Sequence, residues 1–132
     1  GIKLVAMIMI GLGGHSEGSK RHALETAQLI NQMNPYLLGL LTTVPMKGTV
    51  LFRQVTNGDF KLLDPYEVLD ELKLLLETLD NDNLLINSTH GSNLLAIKGT
   101  LGEVKLSTLD HINRRLLTKD NDLIGKAYLG HF

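Results

Sequence analysis

Leu4-Val5-Ala6-Met7-Ile8-Met9-Ile10-Gly11-Leu12-Gly13-Gly14 is the stretch that decides the fold. Its apolar residues run on without alternation, which suits a strand covered on both faces, the usual state of a parallel strand in an α/β protein. The glycines stop the strand. Polar residues then lead into residues 21–33, where Ala23, Ala27, Ile30 and Met33 recur at helical spacing. Strand, glycine turn and helix make a βα unit.

Working outward, Asn34-Pro35 ends the helix, because proline pushes the residue before it out of the helical region. Residues 36–44 form a second apolar run, a buried strand that stops at Pro45. Residues 49–55 are shorter and end at Asn57-Gly58, which suits either a hairpin turn or a glycine-terminated helix; a short helix is the reading adopted. Asp64-Pro65-Tyr66-Glu67 is a sharper signal. It offers an N-cap side chain, proline at the first helical position and a glutamate spaced to reach back to the cap. The helix should run to about residue 80, with Leu69, Leu72, Leu76 and Leu79 as core and Asp70, Glu71, Glu77 and Asp80 on its solvent side. Residues 84–86 read as a third strand, and Thr100-Leu101-Gly102-Glu103 as a second capping box opening a helix faced by Leu109, Ile112 and Leu116. Residues 1–118 are thus one α/β domain of parallel strands alternating with helices, and residues 119–132 read as a tail.

Composition narrows the function. The 132 residues are 43% hydrophobic and 20% charged, enough apolar material for a core that needs no metal or disulfide staple. No cysteine is present, which excludes a thiolate nucleophile, a cysteine-ligated zinc and an iron–sulfur cluster held by this chain's own thiolates. The formal charge is -1 and neither sign is concentrated, so nothing points to nucleic acid. Residues 4–10 are far short of the roughly 20 apolar residues that span a bilayer, so the expected setting is the cytoplasm, with no membrane partner.

Candidate chemistry collects at strand ends, where ligands gather in α/β sheets and barrels. Gly11, Leu12, Gly13 and Gly14 lie between a strand and a helix, where backbone N–H groups can meet an anion; a plain tight turn explains the same glycines. The dinucleotide fingerprint is incomplete, since Ser16 stands where its third glycine belongs, and no Lys-Ser/Thr pair marks a P-loop. Asn87-Ser88-Thr89-His90-Gly91-Ser92-Asn93 follows the third strand, so His90, Ser92 and Asn93 are either site residues or a surface loop in which Ser92 caps a short helix over residues 93–97. The remaining histidines, His15, His22, His111 and His131, show no metal-ligand spacing. A Ser92, His90 and Asp110 triad lacks its Gly-x-Ser-x-Gly elbow.

The order of these motifs carries a resemblance. Ile8-Met9-Ile10-Gly11-Leu12-Gly13-Gly14 is followed by His22-Ala23-Leu24-Glu25-Thr26-Ala27, Asn34-Pro35, Gly48-Thr49-Val50-Leu51-Phe52, Gly58-Asp59-Phe60 and Glu71-Leu72. His90-Gly91-Ser92-Asn93-Leu94 and Lys98-Gly99-Thr100-Leu101 close the series. Together, over about residues 1–117, the chain resembles the C-terminal half of radical S-adenosylmethionine Fe–S oxidoreductases, in the elongator-like and methylthiotransferase-like branch. The resemblance implies the C-terminal portion of a six-stranded partial (β/α) barrel. The missing N-terminal half would hold a 4Fe-4S cluster through a Cys-x-x-x-Cys-x-x-Cys loop. It further implies that Gly11, Leu12, Gly13, Gly14, Leu41 and Thr42 line the S-adenosylmethionine side, and that His90, Ser92 and Asn93 lie near the barrel mouth, on the side of an unidentified substrate. Gly102-Glu103-Val104-Lys105 stands where relatives usually read Pro-Arg-Asp-Lys, so no role tied to that pair carries over.

On this reading the zero cysteine count marks a fragment that lacks its cluster half and is inactive alone, with an apolar face and sheet edge that invite self-association. The alternative is a non-catalytic α/β ligand-binding or interaction module that uses the glycine turn; a nucleotide-phosphate binder is a third possibility.

Overall fold

The βα rhythm is realised in a computed structural model that describes residues 1–119. The elements are β1 (Val5–Ile10), α1 (Glu17–Met33), β2 (Leu37–Thr42), α2 (Val50–Asn57), α3 (Pro65–Thr78), β3 (Leu85–Asn87), β4 (Lys98–Thr100) and α4 (Leu101–Thr118). The strands form one sheet in the order β1-β2-β3-β4. β1 pairs with β2 and β2 with β3 in parallel, Ile10 opposite Thr42 and Gly39 opposite Asn87; β3 pairs with β4 antiparallel.

Local chemistry sets the boundaries. Asp64 caps α3 by accepting from the N–H groups of Tyr66 and Glu67 at 2.8 and 2.9 Å, while Glu67 Oε2 accepts from the Asp64 N–H. Thr49 caps α2, which ends on Gly58 at φ 82°, so the Asn57-Gly58 pair terminates a helix and not a hairpin. At the capping box of α4, Glu103 accepts from the Thr100 N–H at 3.0 Å, and these contacts hold its carboxyl below the usual range.

Strand order in the parallel part follows chain order. Right-handed crossovers that always step the same way deposit their helices on the same side. Accordingly α1, α3 and α4 share one core with one sheet face, built from Ile10, Leu38, Leu40 and Ile86 against Ala23, Ala27, Leu69, Leu72, Leu76 and Ile112. The opposite face is bare. Val5, Met7 and Met9 are 52%, 59% and 37% exposed, and Met7 lies across Gly39, where a Cβ would stand 2.2 Å from its sulfur. β1 is also an edge strand.

Several expectations are corrected. β1 is covered on one face, not two, because no element among the described residues packs on the other. The sheet is mixed and open, with an antiparallel β4 where strands were expected to be parallel throughout. Residues 93–97 form no helix; they bend at Leu94 and Leu95 and lead irregularly into β4, so Ser92 caps no helix. α1 starts at Glu17, a turn earlier than its apolar spacing suggests. Lys119 closes α4 in the left-handed conformation, and the rest of the expected tail, with His131, lies outside the described residues. Glu71 is the largest correction. It is 2% exposed, because it shares a stripe with Val68 and Leu75 that faces α1. Asp70, Glu77 and Asp80 are exposed as expected.

Candidate functional site

At the carboxyl ends of β1 and β2 the bare face opens into a depression of about 400 Å³, lined by Met9, Leu41, Thr42, Val44, Met46, His90, Gly91 and Ser92. That volume and the mainly apolar lining with a few polar groups are typical of small-molecule sites. A second cavity, between the strand ends and the start of α3, measures about 40 Å³ and suits water rather than a ligand. The Thr43 hydroxyl, buried with no protein hydrogen-bond partner, is on its border. No sequence signal singles out that threonine.

The His90–Asn93 segment is fastened to the end of β2. The Thr42 N–H donates to Ser92 Oγ at 3.2 Å, and Thr42 Oγ1 donates to Asn93 Oδ1 at 3.0 Å. Asn93 Nδ2 donates to the carbonyls of Leu40 and Ser88 at 2.7 and 3.0 Å. Asn93 therefore occupies backbone groups where β2 and β3 diverge and braces the floor. His90 is exposed at the rim. Its Nδ1 accepts from the Ser92 N–H at 3.1 Å, which assigns the ring proton of the neutral form to Nε2 and makes the Ser92 hydroxyl, 2.9 Å away, a donor to Nδ1. Asp110 pairs with Arg114 on the solvent side of α4, so Ser92 and His90 gain no third member of a hydrolytic triad from it.

Sequence-predicted residues are thus partly assembled. Leu41, Thr42, His90 and Ser92 line one depression, with Asn93 behind them. Leu12, Gly13 and Gly14 do not border it, and Gly11 borders the small cavity with Thr42 and Ser92. The glycines have internal reasons to be glycine. Gly11 and Gly14 take φ values of 89° and 78°, and a Cβ on Gly13 would stand 2.5 Å from the Gly18 carbonyl oxygen and 2.7 Å from His22 Cβ.

Behind the turn lies the group that the sequence reading placed in solvent. Glu71 Oε1 accepts from the Gly11 N–H at 3.0 Å and from His22 Nδ1 at 2.7 Å; Oε2 accepts from Ser19 Oγ at 2.5 Å. One turn earlier on α3, Glu67 pairs with His15. The Glu71 hydrogen bond raises the His22 pKa above its ordinary 6.5, partial burial opposes it, and the Glu71 charge adds to it. The readable signal for Glu71 is helical spacing, since residues 68, 71 and 75 fall on one stripe.

The described residues contain no cluster of His, Asp and Glu that would hold a metal ion, and no helix long and apolar enough to cross a membrane. Comparison with protein-family models, curated proteins and solved structures returns no match.

Proposed function

We propose that this chain is the C-terminal portion of a cytoplasmic radical S-adenosylmethionine Fe–S oxidoreductase, supplying the cofactor wall and the substrate side of a partial (β/α) barrel. The observation that carries the reading is the one-sided winding: parallel strands in chain order, every packed helix on one face, and a bare apolar face ending in an unpaired edge strand. A barrel is built that way, with helices outside and the opposite face inside. A doubly wound sheet reverses its strand order and covers both faces.

The chain's chemistry fits one of the implied groups and not the other. With no cysteine it offers no thiolate to a 4Fe-4S cluster, so those ligands belong to the N-terminal half. The strand-end depression fits an adenosyl ligand: Met9, Leu41, Val44 and Met46 give apolar surface, while Thr42, Ser92 and His90 give polar contacts. When bound, the cofactor and cluster supply the reductive cleavage that yields a 5′-deoxyadenosyl radical. The residues here bind and enclose. Leu41 and Met9 exclude water from the ligand, Asn93 and Thr42 hold the floor rigid, and His90 and Ser92 offer hydrogen bonds at the rim toward a substrate.

The test is anaerobic incubation with S-adenosylmethionine and a reductant, followed by quantification of 5′-deoxyadenosine. The whole encoded protein is expected to release it and the 132-residue chain to release none. Release by the chain alone overturns the division of labour. A whole protein that has no three-cysteine loop and leaves the cofactor intact overturns the enzyme reading and leaves a ligand-binding module.

A further inference from the structure

A buried carboxylate is weak evidence for stability, and in some proteins such a group is retained because its hydrogen bonds fix a geometry. Glu71 lies on the buried side of α3 with Val68, Leu72 and Leu75, and it is almost fully buried. Its oxygens are shared among three places in the chain: the end of β1 through the Gly11 N–H, and the first turns of α1 through Ser19 and His22. A backbone N–H has one direction, so the acceptor that takes it sets the position of that peptide.

We propose that Glu71 is the positioning residue of the Gly11–Gly14 turn, fixing from the helix layer where the turn stands at the carboxyl end of β1, beside the small cavity that Gly11 borders with Thr42 and Ser92. The significance of the turn for a cofactor rests on the reading given under Proposed function; the positioning role itself does not. His22 donates to the same Glu71 oxygen that receives the Gly11 N–H, so its protonation is felt at the turn. The charged group acting on His22 is Glu71 of α3, and the neighbouring titratable groups are Glu67 of the same helix and His15 of the turn, paired with each other.

The experiment is NMR of the 132-residue chain, following the Gly11 amide and the His22 ring across pH in the wild type and in Glu71→Gln and Glu71→Leu. The glutamine keeps Oε1 for Gly11 and His22 and sets its amide against Ser19 Oγ, which can accept, so it preserves the turn while removing the charge. In the wild type the Gly11 amide is expected to follow the His22 midpoint, which lies above 6.5. In Glu71→Gln that midpoint falls while Gly11 stays protected from exchange, and in Glu71→Leu the Gly11 amide exchanges at least about tenfold faster than its neighbours. A Gly11 amide that ignores both the His22 titration and the two variants overturns the positioning role; the wild-type titration decides this even if Glu71→Leu fails to fold. In the whole protein, Glu71→Leu should raise the KM for S-adenosylmethionine more than it lowers kcat, with Glu71→Gln restoring it. An unchanged KM beside an altered Gly11 amide overturns the cofactor-wall reading of the turn and leaves the positioning role standing.

Discussion

Replacing Gly18 by alanine sets two physical effects of opposite sign against each other. Gly18 is in the first turn of α1, and helix propensity alone favours alanine over glycine by up to about 1 kcal/mol. The packing says otherwise. A Cβ on Gly18 would stand 2.2 Å from the Gly13 carbonyl oxygen, a backbone atom that cannot swing aside. Reaching the 3.4 Å at which ordinary contact begins requires a shift of 3.4 − 2.2 = 1.2 Å between α1 and the glycine turn. Overpacking of this kind costs about 1–3 kcal/mol. The same shift stretches the Ser19 and His22 contacts to Glu71, now 2.5 and 2.7 Å, and hydrogen bonds to a charged group are worth about 1.5–3 kcal/mol each. Partial relaxation shares the strain among these terms, so the expected net loss is about 2 kcal/mol, a fall of roughly 6–12 °C in Tm for a domain of this size. Urea unfolding gives the free energy and circular dichroism gives Tm; an unchanged m-value shows that the unfolded state is unaltered. A Gly18→Ala protein as stable as the wild type, or more so, would refute the close approach of the two glycine backbones.

Three further predictions concern separate parts of the molecule. Asp64→Ala removes the acceptor of two α3 N–H groups and should cost about 1 kcal/mol in urea unfolding, while a loss within error contradicts the capping box. His22 has a folded pKa above 6.5, so its pairing with Glu71 stabilises the fold fully below 6.5 and that contribution disappears as pH rises through the raised value. His22→Gln should flatten this decline in the urea midpoint, and an identical pH profile in the variant removes His22 as its source. Met7→Lys, on the bare sheet face, should change monomer stability by no more than about 0.5 kcal/mol while suppressing the self-association expected of the isolated chain. Sedimentation velocity decides this, and a wild-type chain that stays strictly monomeric at high concentration contradicts the expectation.

What was legible in the sequence depended on how local the cause was. The caps of α3 and α4 involve residues two or three apart, so Asp64 and Glu103 could be read directly, whereas Thr49 marked only the start of an ambiguous segment and its capping of α2 was not read. The three parallel strands were legible as apolar runs, whereas β4 is a three-residue segment containing Lys98 and Gly99 that gains its identity only by pairing with β3. Apolar continuity in β1 indicated two apolar faces and could not say whether both are covered within this chain. At the site, His90, Ser92 and Asn93 were found because a polar cluster followed a strand, but their attachment to Thr42 and Leu40 spans some 50 residues. Glu71 was misplaced because a charged residue on an amphipathic helix is ordinarily solvated. Its burial follows from partners 49 to 60 residues away that spacing along α3 does not reveal. The glycine turn was located correctly, while the reason for glycine at Gly13 became visible only with α1 packed against it.

The central claim, that this sheet is one side of a radical S-adenosylmethionine barrel, is tested most directly by an experimental structure of the whole encoded protein with S-adenosylmethionine bound. The account predicts that a strand from outside residues 1–132 pairs in parallel with the free edge of β1, and that the adenosyl group lies at the strand ends against Met9, Leu41 and Thr42. A β1 edge left unpaired, or a cofactor bound on the helix-covered side of the sheet, would contradict it.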